Sequence, residues 1–275
     1  TDEGIYRRFC DPAWWRRKMR ATFGQAIENT MRKHGLVCKT KAPYSTDWCV
    51  SRRRSQKAML KNTLKNAVAT SDEGEQLTLF ELAEHSNSNP VIRRSELMTR
   101  ARGFEEIAKD MGHTWTFATL TTPSAFHAIN YNKQTGTCYD NKHYSGAGVR
   151  EGQAWQCKQW ARVRAKLKRI NIDYYGFRVA EPHHDGTVHW HMLLFCAPHN
   201  LETIKTVVRA YWLAEYSDEI GATEHRVKYE DEDKAKPGSS ATGYIAKYIA
   251  KNIDGFAVGE DYETGTDAGD SSVRV

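Results

Sequence analysis

No apolar run in this 275-residue chain approaches the roughly 20 residues that a membrane-spanning helix needs. A secretory signal pattern is also missing, so no membrane association is expected. Cys-x-x-Cys pairs are absent. The six cysteines stand apart at 10, 38, 49, 138, 157 and 196, which excludes a disulfide framework and a zinc ribbon and suits a reducing cytosol. His34, Cys38 and Cys49 match no standard finger spacing. An initial Met is lacking too, and the opening Thr1-Asp2-Glu3 leads us to expect a piece of a longer protein. Acidic residues are in deficit, 34 against 40 Lys and Arg, for a net charge of +6. The imbalance is local. Residues 150–170 carry seven basic residues and one acid, residues 52–65 carry six basic residues and no acid, and residues 254–275 carry six acids and one Arg. Basic runs in a mildly basic chain suit a polyanion, although each run read alone is equally well a solvated helix face.

The length allows a full core. Residues 1–85 read as a helical N-terminal region, with helices from Trp14 to Lys33, from Ser51 to Ala69 and from Leu77 to Glu84. The Ser86–Pro90 run breaks the pattern, and a long helix follows from Ile92 to Met111. Residues 86–255 then read as the main domain. Strands are expected at Trp115–Thr122, Asp173–Glu181, Val188–Cys196 and Thr223–Tyr229. Helices are expected at Gln153–Ile170, Leu201–Tyr216 and Gly243–Asn252, with loops at 130–148 and 229–240 and an acidic, flexible tail at 256–275. The class is α+β: a central, mostly antiparallel sheet of about five strands, flanked by helices.

The most informative segment is Glu181-Pro-His-His-Asp-Gly-Thr-Val-His189-Trp-His191. On a strand, positions two apart share a face, so His189 and His191 project together as two ligands of one metal would. A three-residue turn with Gly186 in the left-handed conformation places Glu181 opposite His189, hence beside both imidazoles. A two-residue Asp-Gly turn sends Glu181 to the other face. With the longer turn, Glu181, His189 and His191 make a two-histidine, one-carboxylate set that favours Mg²⁺ or Mn²⁺ over Zn²⁺ for an anionic substrate. His183 shares that face as a reserve ligand. Histidines on a polar strand face without a metal are the plainer alternative.

Tyr244-Ile-Ala-Lys-Tyr248-Ile-Ala-Lys251 supplies the second constellation. At about 100° per residue, Tyr244 and Tyr248 lie about 40° apart on a helix, with Lys247 and Lys251 on the same side. Ile245, Ala246, Ile249 and Ile253 form the opposite, apolar stripe. Core packing is the commoner fate of such tyrosine pairs. A phenol becomes a nucleophile when nearby positive charge favours its phenolate. Attack on a DNA phosphate conserves the phosphodiester energy, so the strand can later be rejoined.

Several stretches resemble the bacteriophage replication gene A protein family, within the endonuclease superfamily named for its His-hydrophobic-His motif. They are Asn89–Met98, Arg102–Glu105, Gly112-His113, Phe117–Ser124, Tyr175–Thr187, His189–His191 and Gly243–Asn252, and they cover most of residues 86–255. Val188 departs from the Pro expected there. The resemblance implies a rolling-circle initiator that nicks single-stranded DNA at a phage origin through a covalent 5′-phosphotyrosine, in the cytoplasm of a bacterial host. It implies His189 and His191 as ligands, Tyr244 and Tyr248 as nucleophiles, and host helicase and polymerase as partners. Arg162, Arg164, Lys166, Lys168 and Arg178 are expected to hold DNA phosphates. The alternatives are a single-tyrosine transposase or plasmid relaxase, a non-catalytic DNA-binding module, and a small-molecule metallohydrolase.

Overall fold

A computed structural model describes residues 2–232 and 240–253, together with the backbone of two short paired strands, Glu260–Asp261 and Thr266–Asp267. The remainder of the acidic tail and residues 233–239 of the charged loop lie outside the described residues.

Local signals set most helix starts. Helix α1 spans Asp2–Phe9 and α2 spans Pro12–Lys33, with the Asp11 side chain accepting from Ala13 N and Pro12 filling the first turn. Thr46 caps α3 (Asp47–Asn66) by accepting from Cys49 N. A small hairpin, β1 (Val68–Thr70) and β2 (Gln76–Thr78), leads to α4 (Leu79–Glu84), which opens on a reciprocal Thr78–Glu81 capping box. The Asn89-Pro90 pair starts α5 (Pro90–Asp110): Asn89 caps it and Pro90 occupies its first turn.

The central sheet has four antiparallel strands rather than five. In chain order they are β3 (Thr114–Thr121), β6 (Tyr175–Pro182), β7 (Val188–Cys196) and β8 (Val227–Asp231), arranged β6-β7-β3-β8. Between β3 and β6 come a hairpin, β4 (Ile129–Asn132) and β5 (Thr137–Asp140), and helix α6 (Val149–Arg169). That hairpin replaces part of the loop expected over 130–148. Its turn is held by the Asn132 side chain, which accepts from Gln134 N. Helices α7 (Leu201–Trp212) and α8 (Ala222–His225) separate β7 from β8, and α9 (Ala241–Ile253) closes the described chain. The strand expected at 223–229 therefore starts later and runs further: residues 222–225 form α8, and Tyr229–Asp231 are strand rather than loop. Inward-facing Asp231 masks the strand pattern; it is buried against Thr116 and Lys205.

The sheet has two different faces. Leu120, Trp190, Met192, Leu194 and Val227 pack under α6 and α7 with Trp155, Val163, Leu167 and Trp212. Trp115, Phe117, Leu193 and Phe195 pack under α5 and α9 with Ala101, Ala108, Ile245 and Ile249. Gly176 in β6 shows how tightly the strands pair. A Cβ there would lie 1.9 Å from the Leu193 carbonyl oxygen, at a φ of +150°. Gly176→Ala is expected to cost more than about 3 kcal/mol, because the obstacle is backbone that cannot repack. Urea unfolding measures it; a loss below about 1 kcal/mol contradicts the packing described.

Candidate metal and tyrosine site

The β6–β7 turn takes the three-residue form. His183 N donates to Thr187 O at 2.7 Å, Gly186 N donates to His183 O at 2.7 Å, and Gly186 has φ +77°. Glu181 consequently pairs with His189, and His189 with Thr121 of β3. The next row on the same face joins Val179, His191, Thr119 and Lys228. Strand register alone thus brings Glu181, His189 and His191 together on the α9 side of the sheet.

His189 Nε2 and His191 Nε2 lie 2.8 Å apart, and Glu181 Oε2 is 3.0 Å from His191 Nε2 and 3.7 Å from His189 Nε2. Three ligand atoms of one octahedral cation stand about 3 Å from one another at bond lengths of about 2.1 Å. Two imidazoles with one carboxylate therefore fit a divalent cation in both spacing and chemistry. Burial, reinforced by His191, holds His189 well below its ordinary pKa, against the pull of Glu181. His189 is thus neutral at neutral pH, with a lone pair to offer. The Nδ1 of His191 meets Thr119 Oγ1 at 3.2 Å, which orients that ring. The Nδ1 of His189 is buried without a partner.

Burial works to raise the Glu181 pKa. The His191 hydrogen bond, the neighbouring His189 and the Lys251 ammonium overcome it and hold the carboxyl at about 2. Its stabilising contribution is therefore full above the ordinary carboxylate range and is lost as pH falls towards 2. Lys251 is buried and ion-paired to Glu181 Oε1, with its ammonium 4.4 Å from the Tyr44 ring centroid. Tyr44 is in turn anchored by its hydroxyl to His184 Nε2 at 3.2 Å. Lys251→Met leaves Glu181 as an uncompensated buried charge, and a loss of about 3 kcal/mol is expected in the metal-free protein. Mn²⁺ is expected to restore more stability to this variant than it adds to the unmodified chain, because the cation replaces the missing charge. Thermal melts with and without Mn²⁺ test this; equal gains contradict it.

The two tyrosines occupy unlike positions. Tyr248 lies flat on His191, with ring centroids 3.8 Å apart and planes at 26°, and on Phe117 at 5.4 Å. Tyr244 lies one turn further back, against Trp115 at 5.2 Å and Phe117 at 5.7 Å. Both are half-buried, so they share the packing of α9 instead of standing clear of it. Burial, with the Glu181 charge, raises the Tyr248 pKa. Lys247 is exposed. The structure gathers Glu181, His189, His191, Tyr248 and Lys251 in one place, with Tyr244 adjoining.

It does not gather the five expected DNA-binding residues there. Arg162, Arg164, Lys166 and Lys168 are on α6, which packs on the opposite face of the sheet. Arg178 stacks on that same face, 4.1 Å from the Trp190 ring centroid. Arg162 is also within 3.6 Å of Glu215. Sequence reasoning missed Arg32 and Tyr44. Arg32 is fully buried and donates to Asp185 O at 2.9 Å and Thr187 Oγ1 at 2.8 Å, clamping the turn between the histidines and Glu181. No local pattern marks either residue; a buried Arg inside a basic helix is the one hint, and it shows only after folding. His127, His183 and Asp185 form a second group with metal-ligand spacing beside the first.

The sequence model of the bacteriophage replication gene A protein family matches residues 2–256. The chain belongs to this family. It is 39% identical over 264 residues to the replication gene A protein of Escherichia phage 186, covering 96% of this chain and 37% of that protein. It is 41% identical over 264 residues to the probable replication protein P12 of Pseudoalteromonas phage PM2, covering 95% and 39%. A probable replication endonuclease from a prophage-like region of Salmonella typhi is 35% identical over 265 residues, covering 95% and 32%. The chain thus spans about a third to two fifths of the length of these relatives. No solved structure matches. Among the described residues, no helix is long and apolar enough to cross a membrane.

Proposed function

We propose that this chain is a divalent-metal-dependent endonuclease that nicks and rejoins single-stranded DNA at a phage replication origin, through a covalent tyrosine intermediate. The observation that carries this reading is the Tyr248 ring lying on His191, within a two-histidine, one-carboxylate cluster. Membership in a replication protein family, some of whose members are named as replication endonucleases, supports it.

Glu181, His189 and His191 would hold Mg²⁺ or Mn²⁺, which supplies charge neutralisation at the scissile phosphate. The chain's own residues do the rest. Lys251 keeps Glu181 ionised and aimed. Thr119 fixes the His191 ring. Tyr248 loses its proton to solvent and its Oη attacks phosphorus; the Tyr–O–P bond forms as the P–O3′ bond breaks, and the departing 3′ oxygen takes a proton from solvent. The 5′ phosphate stays on the protein and the 3′ hydroxyl is left for a host polymerase, with a host helicase opening the duplex. Tyr244, adjoining on the same helix, serves as the second nucleophile when the regenerated origin is cleaved, and the free 3′ hydroxyl then resolves the first linkage.

A second reading has a single nucleophile, Tyr248, with Tyr244 purely structural. It is favoured by the packing of Tyr244 on Trp115 and Phe117. Incubation with a degenerate pool of single-stranded oligonucleotides and Mn²⁺ tests the enzymatic claim. A denaturation-resistant protein–DNA adduct that EDTA prevents is expected; hydrolysis without an adduct contradicts it.

A further inference from the structure

With the basic face of α6 turned away from the triad, the strand needs another route to it. A cleft of about 610 Å³ opens on the triad side of the sheet. Its inner end is the metal turn. His183, which lines it, has its ring centroid 5.7 Å from that of His189. Thr121 also lines it and pairs directly with His189. Lys228, on the same wall, pairs with Thr119, the residue bonded to His191. The outer wall is the β4–β5 hairpin, which supplies Tyr131 and Lys133, and Lys39 places its ammonium 4.8 Å from the Tyr131 ring centroid.

Two carboxylates line the cleft, and both are already engaged. Glu219 accepts from Ser124 N at 2.7 Å and Ala125 N at 2.8 Å and pairs with Arg226 at 2.6 Å. Asp185 accepts from His127 Nδ1 at 2.9 Å, Thr187 N at 3.0 Å and Thr187 Oγ1 at 2.8 Å. Lys133 and Lys228 are exposed and Lys39 is half-buried. The cleft therefore offers three ammonium groups, a ring and several imidazoles, with its negative charge internally neutralised. Positive charge along a groove plus an aromatic platform is the chemistry that holds an unpaired nucleic-acid strand.

We propose that this cleft carries the single strand to the triad, with Lys39, Lys133 and Lys228 on its phosphates and Tyr131 against a base. The inference rests on the nicking reading and supplies the strand's path. It is tested on the full chain with a fluorescein-labelled pool of degenerate single-stranded oligonucleotides, following anisotropy from about 50 to about 300 mM NaCl. Each phosphate contact to a single strand contributes about 0.7 to the slope of log affinity against log salt. The K39Q/K133Q/K228Q variant is expected to lose about 2 from that slope and at least about tenfold in affinity. K133Q/K228Q, which leaves the Lys39–Tyr131 contact intact, is expected to lose about 1.4. R164Q/K166Q/K168Q on α6 is expected to behave as the unmodified chain.

Unmodified slope and affinity in both cleft variants overturn the proposal, as does a loss confined to the α6 variant or a parent chain that binds no DNA. Adduct formation by the parent chain on the same pool with Mn²⁺ reads the other claim separately. Binding lost with the cleft lysines, but with no adduct in the parent, retains the cleft and removes the nicking reading. An adduct with unaltered binding in both cleft variants does the reverse.

Discussion

His191→Ala is expected to slow adduct formation on the order of 10³-fold while leaving DNA affinity within about threefold. The imidazole contributes to the site three times over: its Nε2 is 2.8 Å from His189 Nε2 and 3.0 Å from Glu181 Oε2, its Nδ1 meets Thr119, and its ring supports Tyr248. Removing it takes away one of the three candidate ligand atoms and leaves the Tyr248 ring without its platform. Binding is expected to survive because phosphate affinity comes from Lys and Arg contacts rather than from the triad. EDTA is expected to reproduce the loss in the unmodified chain. Single-turnover cleavage measured beside anisotropy separates the two effects. A variant that cleaves normally in EDTA contradicts the metal assignment, and one that loses binding and cleavage in equal measure contradicts the division of labour.

Tyr248→Phe is expected to reduce the first cleavage at least on the order of 10³-fold, because it removes the hydroxyl of the ring stacked on His191 of the proposed metal site. Tyr244→Phe is expected to retain the first cleavage within about tenfold and to lose the coupled second cleavage and rejoining, which needs a nucleophile while Tyr248 is occupied. The two substitutions remove one oxygen each from half-buried rings, so packing on Phe117 survives in both. Full strand transfer by Tyr244→Phe selects the single-nucleophile reading. Equal activities of the two variants in the first step contradict the asymmetry seen around His191.

The site was legible in the sequence to the extent that strand periodicity and turn chemistry determine it. The period of two put His189 and His191 on one face, but Gly186 suits either turn length, and only the folded turn, with His183 N bonded to Thr187 O, decides the register that adds Glu181. Helix starts were less legible. Asp11 and Thr46 cap α2 and α3 three and five residues before the expected starts at Trp14 and Ser51. The α9 wheel placed both tyrosines on one side, but a wheel carries no information on what lies opposite. It could not show that Lys251 turns to Glu181 while Lys247 stays in solvent. Long-range partners were illegible for the same reason. Arg32 reaches the turn across a separation of 153 residues, and nothing in its own helix announces the contact. The basic run on α6 was read as a helix with one solvated face, but its sequence carries no sign of which sheet face it covers: its apolar stripe binds the face that carries Trp190, away from the triad.

The central claim is a tyrosine nucleophile beside a two-histidine, one-carboxylate metal site, and the adduct itself tests it most directly. Trypsin cuts after Lys247, so Tyr244 and Tyr248 fall in different peptides. The unmodified chain, reacted with single-stranded DNA and Mn²⁺ and digested with nuclease and trypsin, is to be read by mass spectrometry. The expected result is a 5′-phosphonucleotide on the 248–251 peptide after a single turnover, with the 235–247 peptide labelled when a second cleavage site is supplied. A nucleotide on any residue outside Tyr244 and Tyr248, or cleaved DNA with no labelled peptide, contradicts the account.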